Sequence, residues 1–504
     1  MAQTTPMNAG PEEFAAPPGQ RRAVAGALRA VLPADCVLSG EEELRPYECD
    51  GLSVFHRQPL VVALPRTEAQ LVAAVRECRR LGVPMVARGA GTGLSGGAMP
   101  HAAGVVLSLA RFDRILAIDP TARTARVQPG VRNLAVSEAA APFGLFYAPD
   151  PSSQIACTIG GNVAENSGGV HCLKYGLTVH NVLALRACTV EGELVELGGG
   201  GGALDAPGLD LLAVTLGSEG LLLIVTEVLL KLLPKPALAR VVMASFDDVG
   251  KAGAAVAGII AAGIIPAGLE MMDRKATVAV EPFVKAGYDL GAEAILLAES
   301  DGTADEVADE VVAIDAVLRG AGATAIAVSS SEAERLRFWS GRKNAFPAAG
   351  RLSPDYYCMD GTIPRKALGT VLQEIAAMEG THGLKCMNVF HAGDGNLHPL
   401  ILFDANRPGE WERAEAFGAD ILELCVRLGG TITGEHGVGV EKLNSMCVQF
   451  SPAERAAFFA VKGAFDPPGL LNPGKAIPTL RRCAEYGRMH VHRGALPHPE
   501  LPRF

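Results

Sequence analysis

Arg88-Gly-Ala-Gly-Thr-Gly-Leu-Ser-Gly-Gly97 decides how this 504-residue chain is read. It carries five glycines in ten residues, directly after an apolar stretch at 84–87 that reads as a strand. Without Cβ atoms in the way, successive backbone N–H groups can converge on one anion, and phosphate is the natural guest. Gly91-Thr-Gly93-Leu-Ser-Gly96 also spells G-x-G-x-x-G. The dinucleotide-binding form of that pattern needs its last glycine to open a helix. Here Gly97-Ala-Met-Pro100 and Val105-Val-Leu107 lead into a strand, so a Rossmann site is excluded and the loop must hold the anion alone.

Upstream, 59–64 is an apolar strand bounded by prolines, and Thr67 with Gln70 forms a capping box. The helix it opens places Leu71, Val72, Val75 and Leu81 at helical spacing, and Gly82 ends it. Strand, helix and strand make a βαβ unit. Downstream, 105–109, 115–118, 124–128, 183–189 and 222–233 read as further strands. Thr158-Ile-Gly-Gly-Asn-Val-Ala-Glu-Asn-Ser-Gly-Gly169 reads as a second glycine-rich loop, with Asn162, Asn166 and Ser167 as donors, and Gly217-Ser-Glu-Gly220 as a third. Two such loops about 60 residues apart suggest a long, diphosphate-containing ligand between them. Pro234-Lys-Pro236 is a stiff break. Beyond it, helices at 247–262 and 305–320 alternate with strands at 263–272, 294–299 and 324–329, which predicts an α+β domain. Helices at 408–428 and 452–465 follow.

Composition narrows the function. Hydrophobic residues make up 49% and charged residues 20%, enough to bury a large core. A net charge of −10 argues against nucleic acid as the main partner. The 11 cysteines include no C-x-x-C, so the pattern is that of reduced thiols, with no iron–sulfur or Cys-zinc motif. Residues 1–20 lack the cationic start and apolar run of a secretory signal. The apolar stretch 209–233 is interrupted by Asp210, Glu219 and Glu227, and 252–269 barely reaches the ~18–20 residues of a membrane span. A cytoplasmic protein, at most peripherally attached, is expected.

His391-Ala-Gly-Asp-Gly-Asn-Leu-His398 joins two predicted strands, and Gly434-Glu-His-Gly-Val-Gly439 presents Glu435 and His436 on a glycine-flanked turn. Two imidazoles and a carboxylate suit a divalent cation with open positions, leaving His436 as a general base. The competing reading makes both histidines strand-end caps.

Together, Pro65-Arg-Thr67, the 88–97 loop, Pro149-Asp-Pro151, Gly160-Gly-Asn162, Asn166, Gly168-Gly169 and Asn472-Pro-Gly-Lys475 resemble FAD-linked oxidases of the vanillyl-alcohol-oxidase type, over about residues 40–480. The resemblance implies an α+β protein. An extension (1–56) precedes an FAD-binding domain of two α+β subdomains (57–235), followed by an α+β substrate or cap domain (236–477) and a tail (478–504). It implies FAD contacts at Pro65, Arg66, Thr67, Arg88, Gly89, Ala90, Gly91, Thr92, Gly93, Leu94, Ser95, Gly96 and Gly97. Further contacts would come from Pro149, Asp150, Thr158, Gly160, Gly161, Asn162, Ala164, Asn166, Ser167, Gly168, Gly169, Glu219, Gly220, Ile224 and Asn472. Some members attach FAD through a histidine in the first loop; none lies between Arg88 and Gly97, so non-covalent FAD is implied. Leu223 stands where relatives have a glycine.

Within that family, His391, His398 and Glu435 match the metal ligands of the D-2-hydroxyacid dehydrogenase branch, with zinc or manganese as the implied metal. His436 matches its substrate-side histidine, and Arg342 the arginine on the substrate carboxylate. Relatives specific for 2-hydroxyglutarate carry a Thr, a Lys and an Asn where this chain has Phe346, no lysine between 344 and 365, and Leu400. A small monocarboxylate is therefore expected. Tyr47-Glu-Cys-Asp-Gly51, Ser152-Ser-Gln-Ile-Ala-Cys157, His171-Cys-Leu-Lys-Tyr175 and Pro354-Asp-Tyr-Tyr357 resemble the D-subunit family of bacterial glycolate oxidase (glycolate dehydrogenase).

That resemblance implies oxidation of glycolate to glyoxylate by hydride transfer to flavin. Electrons would pass to a second flavin-binding subunit, an iron–sulfur subunit and quinone at the inner face of the cytoplasmic membrane. Residues 478–504, with five Arg and two Glu, suit docking or a surface strap. D-lactate oxidation and use of O2 stay open, as does a non-catalytic flavin electron-relay subunit, which would be expected to lack Arg342, His391 and Glu435.

Overall fold

In the computed structural model, which describes residues 19–199 and 208–478, Thr67 accepts from the Gln70 N–H and starts the helix Glu68–Leu81. Gly82 ends it in the left-handed region, at φ 65°. Leu71, Ala74, Val75 and Cys78 are buried on one face, against a four-stranded sheet. Its parallel strands lie in the order Val61–Ala63, Val105–Ser108, Met85–Arg88, and Val37–Leu38 pairs antiparallel at the outer edge. The first glycine loop thus runs from an edge strand into a central strand and opens no helix.

A five-stranded antiparallel sheet follows, in the order Ile115–Asp119, Thr124–Val127, Ile224–Lys231, Val182–Cys188, Leu194–Gly198. The second glycine-rich segment differs from the loop expected. Thr158 caps a helix, Ile159–Glu165, by accepting from the Gly161 N–H, and Asn166 ends it at φ 53°. Ile159 and Val163 are buried in the apolar cluster beside the sheet, and that packing outweighs the poor helix propensity of two glycines.

The third sheet is antiparallel throughout, with seven strands. Their order is Ala325–Val328, Leu238–Phe246, Ala294–Gly302, Gly268–Asp273, Lys385–His391, Pro399–Phe403, Asp355–Cys358. Helices cover both faces. Val242 and Ala244 pack into one apolar cluster with Val249–Ala261, Ala304–Gly320, Leu368–His382 and Glu410–Arg427. Val241 packs into another with Arg274–Val284 and Glu332–Ala349. Two-sided burial explains why 294–298 and 399–403 read as continuous apolar runs. The chain then returns to its first sheet: Met85 N–H donates to the Leu470 carbonyl and Asn472 N–H to the Met85 carbonyl, each at 2.7 Å. Of the expected extension (1–56) and tail (478–504), residues 1–18 and 479–504 lie outside the described residues, while within the extension Gln20–Val31 is a helix and Val37–Leu38 a strand of the first sheet. Among the described residues, no helix is long and apolar enough to cross a membrane.

A buried ion network ties the earlier half to this sheet. Glu299 lies 3.2 Å from His171 Nε2 and 2.7 Å from Arg335 Nη1, and accepts from Trp339 Nε1. Two residues along, Asp301 accepts from Lys174 Nζ at 2.5 Å and Tyr175 O–H at 2.6 Å. Burial pushes the Glu299 carboxyl up, but the His171, Arg335 and Trp339 donors outweigh it and hold it down to about 2. A depressed carboxyl stabilises the fold above its ordinary value of 4.5, and that stability is lost as pH falls towards 2. Glu299→Gln is expected to cost about 3 kcal/mol at pH 7. It should also flatten the acid loss of stability, checked by urea unfolding between pH 3 and pH 7.

Candidate functional site

The turn 433–437 has no regular structure of its own and is organised by a carboxylate. Asp360, fully buried, accepts from Thr433 Oγ1 (2.6 Å), His436 N–H (2.9 Å), Gly434 N–H (3.1 Å) and Glu435 N–H (3.1 Å). The equally buried Lys442 adds its ammonium at 3.0 Å. Burial works to raise the Asp360 carboxyl, but the Lys442 charge, with His436 and His398, holds it well below the usual carboxylate range.

This turn aims Glu435 at the two predicted histidines. Glu435 Oε1 lies 3.3 Å from His391 Nε2 and 2.9 Å from His398 Nε2. The two imidazoles meet edge to face at 5.1 Å, and His398 stacks on His436 at 4.8 Å. Behind them, His391 Nδ1 is 2.7 Å from Glu270 Oε1, and Glu270 Oε2 accepts from Arg342 Nε at 2.6 Å. Burial opposes a charged His391, yet Glu270 and Glu435 raise its pKa well above the ordinary value. Glu435 is driven the other way, well below its ordinary value: burial is overcome by its bonds to both histidines. For His436 burial wins, lowering its pKa to about 4. Its ring is neutral at physiological pH, and its Nδ1 is buried without a partner.

Two sets of side chains could hold a cation: His391, His398 and Glu435, or Cys358, His398 and His436. The first is the better donor set. Burial pushes the Cys358 thiol well up, and a thiol binds metal only as thiolate.

A cavity of about 400 Å³ adjoins this cluster, with His398, Glu435 and His436 on its wall. Opposite the glycine loop stands the helix Ile159–Glu165, so close that a Cβ at Gly89 would collide with Thr158 Oγ1. Of the residues expected to hold FAD, the wall includes Arg88, Gly89, Ala90, Gly91, Thr92, Gly93, Leu94 and Gly97. It also includes Thr158, Gly160, Gly161, Asn162, Ala164, Ser167, Glu219 and Gly220. This run of glycines with Thr and Asn donors fits a diphosphate-containing cofactor.

Other expected residues lie behind the wall and serve its construction. Arg66 ion-pairs with Asp35, Thr67 caps its helix, and Pro65 directly precedes them. Ser95 is fully buried, its carbonyl accepting from Val440 and Glu441 N–H, and a Cβ at Gly96 would collide with Val440. Pro149 accepts from Asn133, Asp150 pairs with His171, and Asn166 accepts from Val179 N–H. Gly168 leaves room for Glu435, since a Cβ there would sit 2.7 Å from Oε2. A Cβ at Gly169 would crowd Asp150, Ile224 is core, and Asn472 donates to the carbonyls of Gly97 and Glu219.

Arg342 differs most from expectation. It is 1% exposed and absent from the cavity wall, because Glu270, a buried carboxylate in an apolar strand, claims its Nε. Its Nη2 remains buried and unpartnered. Near the histidine cluster the wall carries the exposed Lys343 instead, besides Arg88 in the glycine loop. Leu400 is likewise core, whereas Phe346 reaches the wall, 6.1 Å from the His398 ring. Sequence reasoning missed Glu270, Asp360 and Lys442. Only Glu270 leaves a signal, a lone carboxylate in the run Gly268-Leu-Glu-Met-Met272, which needs a buried partner.

Residues 59–198 match the family model "FAD binding domain", and 235–476 match "FAD linked oxidases, C-terminal domain". Among solved structures, the fold is similar to 4-ethylphenol oxidase from Gulosibacter chungangensis, with TM-score 0.77, 17% identity and coverage of 94% of this chain and 99% of that one. p-Cresol methylhydroxylase gives TM-score 0.76 at 17% identity, covering 92% and 98%. Fold and family models together define an FAD-linked oxidase of the vanillyl-alcohol-oxidase type.

Glycolate oxidase subunit GlcD of Escherichia coli (strain K12) is 61% identical over 490 residues, 97% of this chain and 98% of the relative. The Bacillus subtilis (strain 168) GlcD is 38% identical over 85% and 91%, and D-lactate dehydrogenase of Anaerostipes hadrus is 30% identical over 87% and 94%. The chain belongs to the GlcD family of glycolate oxidase subunits.

For a divalent cation held by the donor set His391, His398 and Glu435, Glu270→Gln is expected to weaken binding by about 10–100-fold, as loss of a ligand's outer partner does. Titrating chelator-treated protein with zinc or manganese measures it.

Proposed function

We propose that this chain oxidises glycolate to glyoxylate with FAD, residues 57–235 holding the cofactor and 236–477 the substrate. The observation that carries the reading is a neutral, partly unpartnered His436 stacked on His398, on the wall shared with the glycine loop. Identity of 61% to a protein named glycolate oxidase subunit supports glycolate over D-lactate, whose named relative is at 30%. When bound, FAD supplies a two-electron acceptor, and a zinc or manganese ion at His391, His398 and Glu435 supplies positive charge beside the substrate hydroxyl.

His436 Nδ1 takes the hydroxyl proton. The unpartnered Nη2 of Arg342 receives the substrate carboxylate, with Glu270 fixing the guanidinium plane. Lys343 draws the anion to the mouth. Phe346 fills the space a longer acid would need and offers no partner for a second carboxylate, whose burial would cost several kcal/mol. Residues 88–97 contain no histidine, which supports non-covalent FAD. Reduced cofactor requires an outlet, and the chain has no C-x-x-C of its own. Relay to another protein follows from that, and the resemblance to glycolate oxidase subunits supports a second flavin-binding subunit and an iron–sulfur subunit leading to quinone, with the chain peripheral to the inner face of the cytoplasmic membrane.

Anaerobic mixing with glycolate, D-lactate or D-2-hydroxyglutarate tests the substrate. Glycolate should bleach the flavin band fastest and D-2-hydroxyglutarate not at all; no bleaching by any of them removes the enzymatic reading. His436→Ala should lower kcat by about 10²–10⁴-fold. Arg342→Lys should lower kcat/KM on the order of 100-fold, while Lys343→Ala raises KM only; equal effects would shift the carboxylate to Lys343.

A further inference from the structure

Glu165, the last residue of the helix Ile159–Glu165, lines the cavity and has no part in the scheme above. Its carboxyl sits where the two halves meet. A Cβ at Gly97, in the glycine loop, would lie 2.8 Å from Oε1. A Cβ at Gly437, directly after His436, would collide with Oε2. Oε2 is buried and has no hydrogen-bond partner. The neighbouring Glu219 differs sharply: its two oxygens accept from Val438 N–H at 2.8 Å and Gly439 N–H at 2.7 Å. Of two adjacent buried carboxyls, the one given two N–H donors keeps the negative charge, and the other is left to carry a proton. The charged groups acting on Glu165 agree with that division. Burial, Glu219 and Asp50 raise its pKa well above the ordinary value, and Lys442 and Lys475 only partly oppose them. A neutral carboxylic acid is a hydrogen-bond donor, and one that faces a cofactor cavity beside the candidate base has one use there.

We propose that Glu165 is a positioning residue for the flavin: held between Gly97 and Gly437, its carboxylic acid O–H donates to a heteroatom of the bound ring system and stabilises its reduced form. The inference rests on the FAD reading above. A donor that bonds the electron-rich state more strongly favours reduction, so Glu165 raises the midpoint potential of the bound flavin.

The test is redox titration of purified, FAD-loaded Glu165→Ala and Glu165→Gln proteins, with no substrate present. Glu165→Ala should shift the oxidised-to-reduced equilibrium at least tenfold towards the oxidised state, a fall of about 30 mV for a two-electron couple. Glu165→Gln, which keeps an N–H donor of similar reach, should stay within threefold of the unaltered chain. Its oxidised absorption band should match, whereas the Ala variant's band shifts. An unchanged or raised potential in Glu165→Ala overturns the proposal, a rise meaning that the native group is an ionised carboxylate. Should the Ala variant fail to fold, a Gln variant with a tenfold or larger shift overturns it, and one within threefold with an unshifted band supports it. A chain that takes up no flavin at all would instead sink the FAD reading, an outcome visible before any variant is made.

Discussion

One buried carboxylate holds the reactive turn together. Asp360 and Lys442 have no solvent exposure, and a buried ion pair stabilises only when further hydrogen bonds satisfy its remaining lone pairs. Here they do: Asp360 also gathers the N–H groups of residues 434, 435 and 436. The same bonds that satisfy the carboxylate aim Glu435 at His391 and His398, and set His436 against His398. The rest of the turn is held from the opposite side by Glu219 through Val438 and Gly439. The peptide carrying the candidate base and ligand is therefore clamped between two loop carboxylates, Asp360 just after the strand Asp355–Cys358 and Glu219 in the turn before Ile224–Lys231. This is the kind of support that keeps reacting groups fixed without regular secondary structure.

The cavity belongs to neither half of the chain. The glycine loop supplies its first wall, but that loop is set in place by later residues. Val440 and Glu441 donate to the Ser95 carbonyl, and Asn472 and Lys475 to the Gly97 carbonyl. Gly96 and Gly439 are needed because the two backbones approach closely there, and a Cβ at either would collide with the other segment. In the other direction, His171, Lys174 and Tyr175 of the earlier half anchor on Glu299 and Asp301 of the seven-stranded sheet. Cofactor pocket and His–Glu cluster are thus parts of one interlocked interface.

How much of this was legible in the sequence depends on distance along the chain. Local signals read well: the Thr67 cap and Gly82 stop, the strand after Gly97 that excluded a Rossmann site, and the return of 399–403 beside 385–391. The pairing of His391 and His398 with Glu435 was visible as spacing plus resemblance. The helix at 159–165 was misread as a loop because its glycines argue against helix, while the burial of Ile159 and Val163 that forms it is a tertiary fact. The helices Arg274–Val284 and Leu368–His382 and the strand Asp355–Cys358 also went unassigned; Pro282 stands inside the first helix, and the strand is only four residues long. Arg342 was read as facing the substrate, and only the fold shows Glu270 reaching it from 72 residues away. Asp360 and Lys442 carry no local mark, since they lie 82 positions apart and their roles exist only once the chain between them has folded.

The pairing of residues 470–472 with Met85 carries a consequence for biosynthesis. A ribosome delivers the glycine loop early, yet the segment that completes its scaffold emerges almost four hundred residues later. The nascent N-terminal portion must wait with one flank of its first sheet bare, an exposed edge of the kind that invites wrong partners. The scaffold of the glycine loop is therefore completed only once residues 470–472 have been made, long after the loop itself.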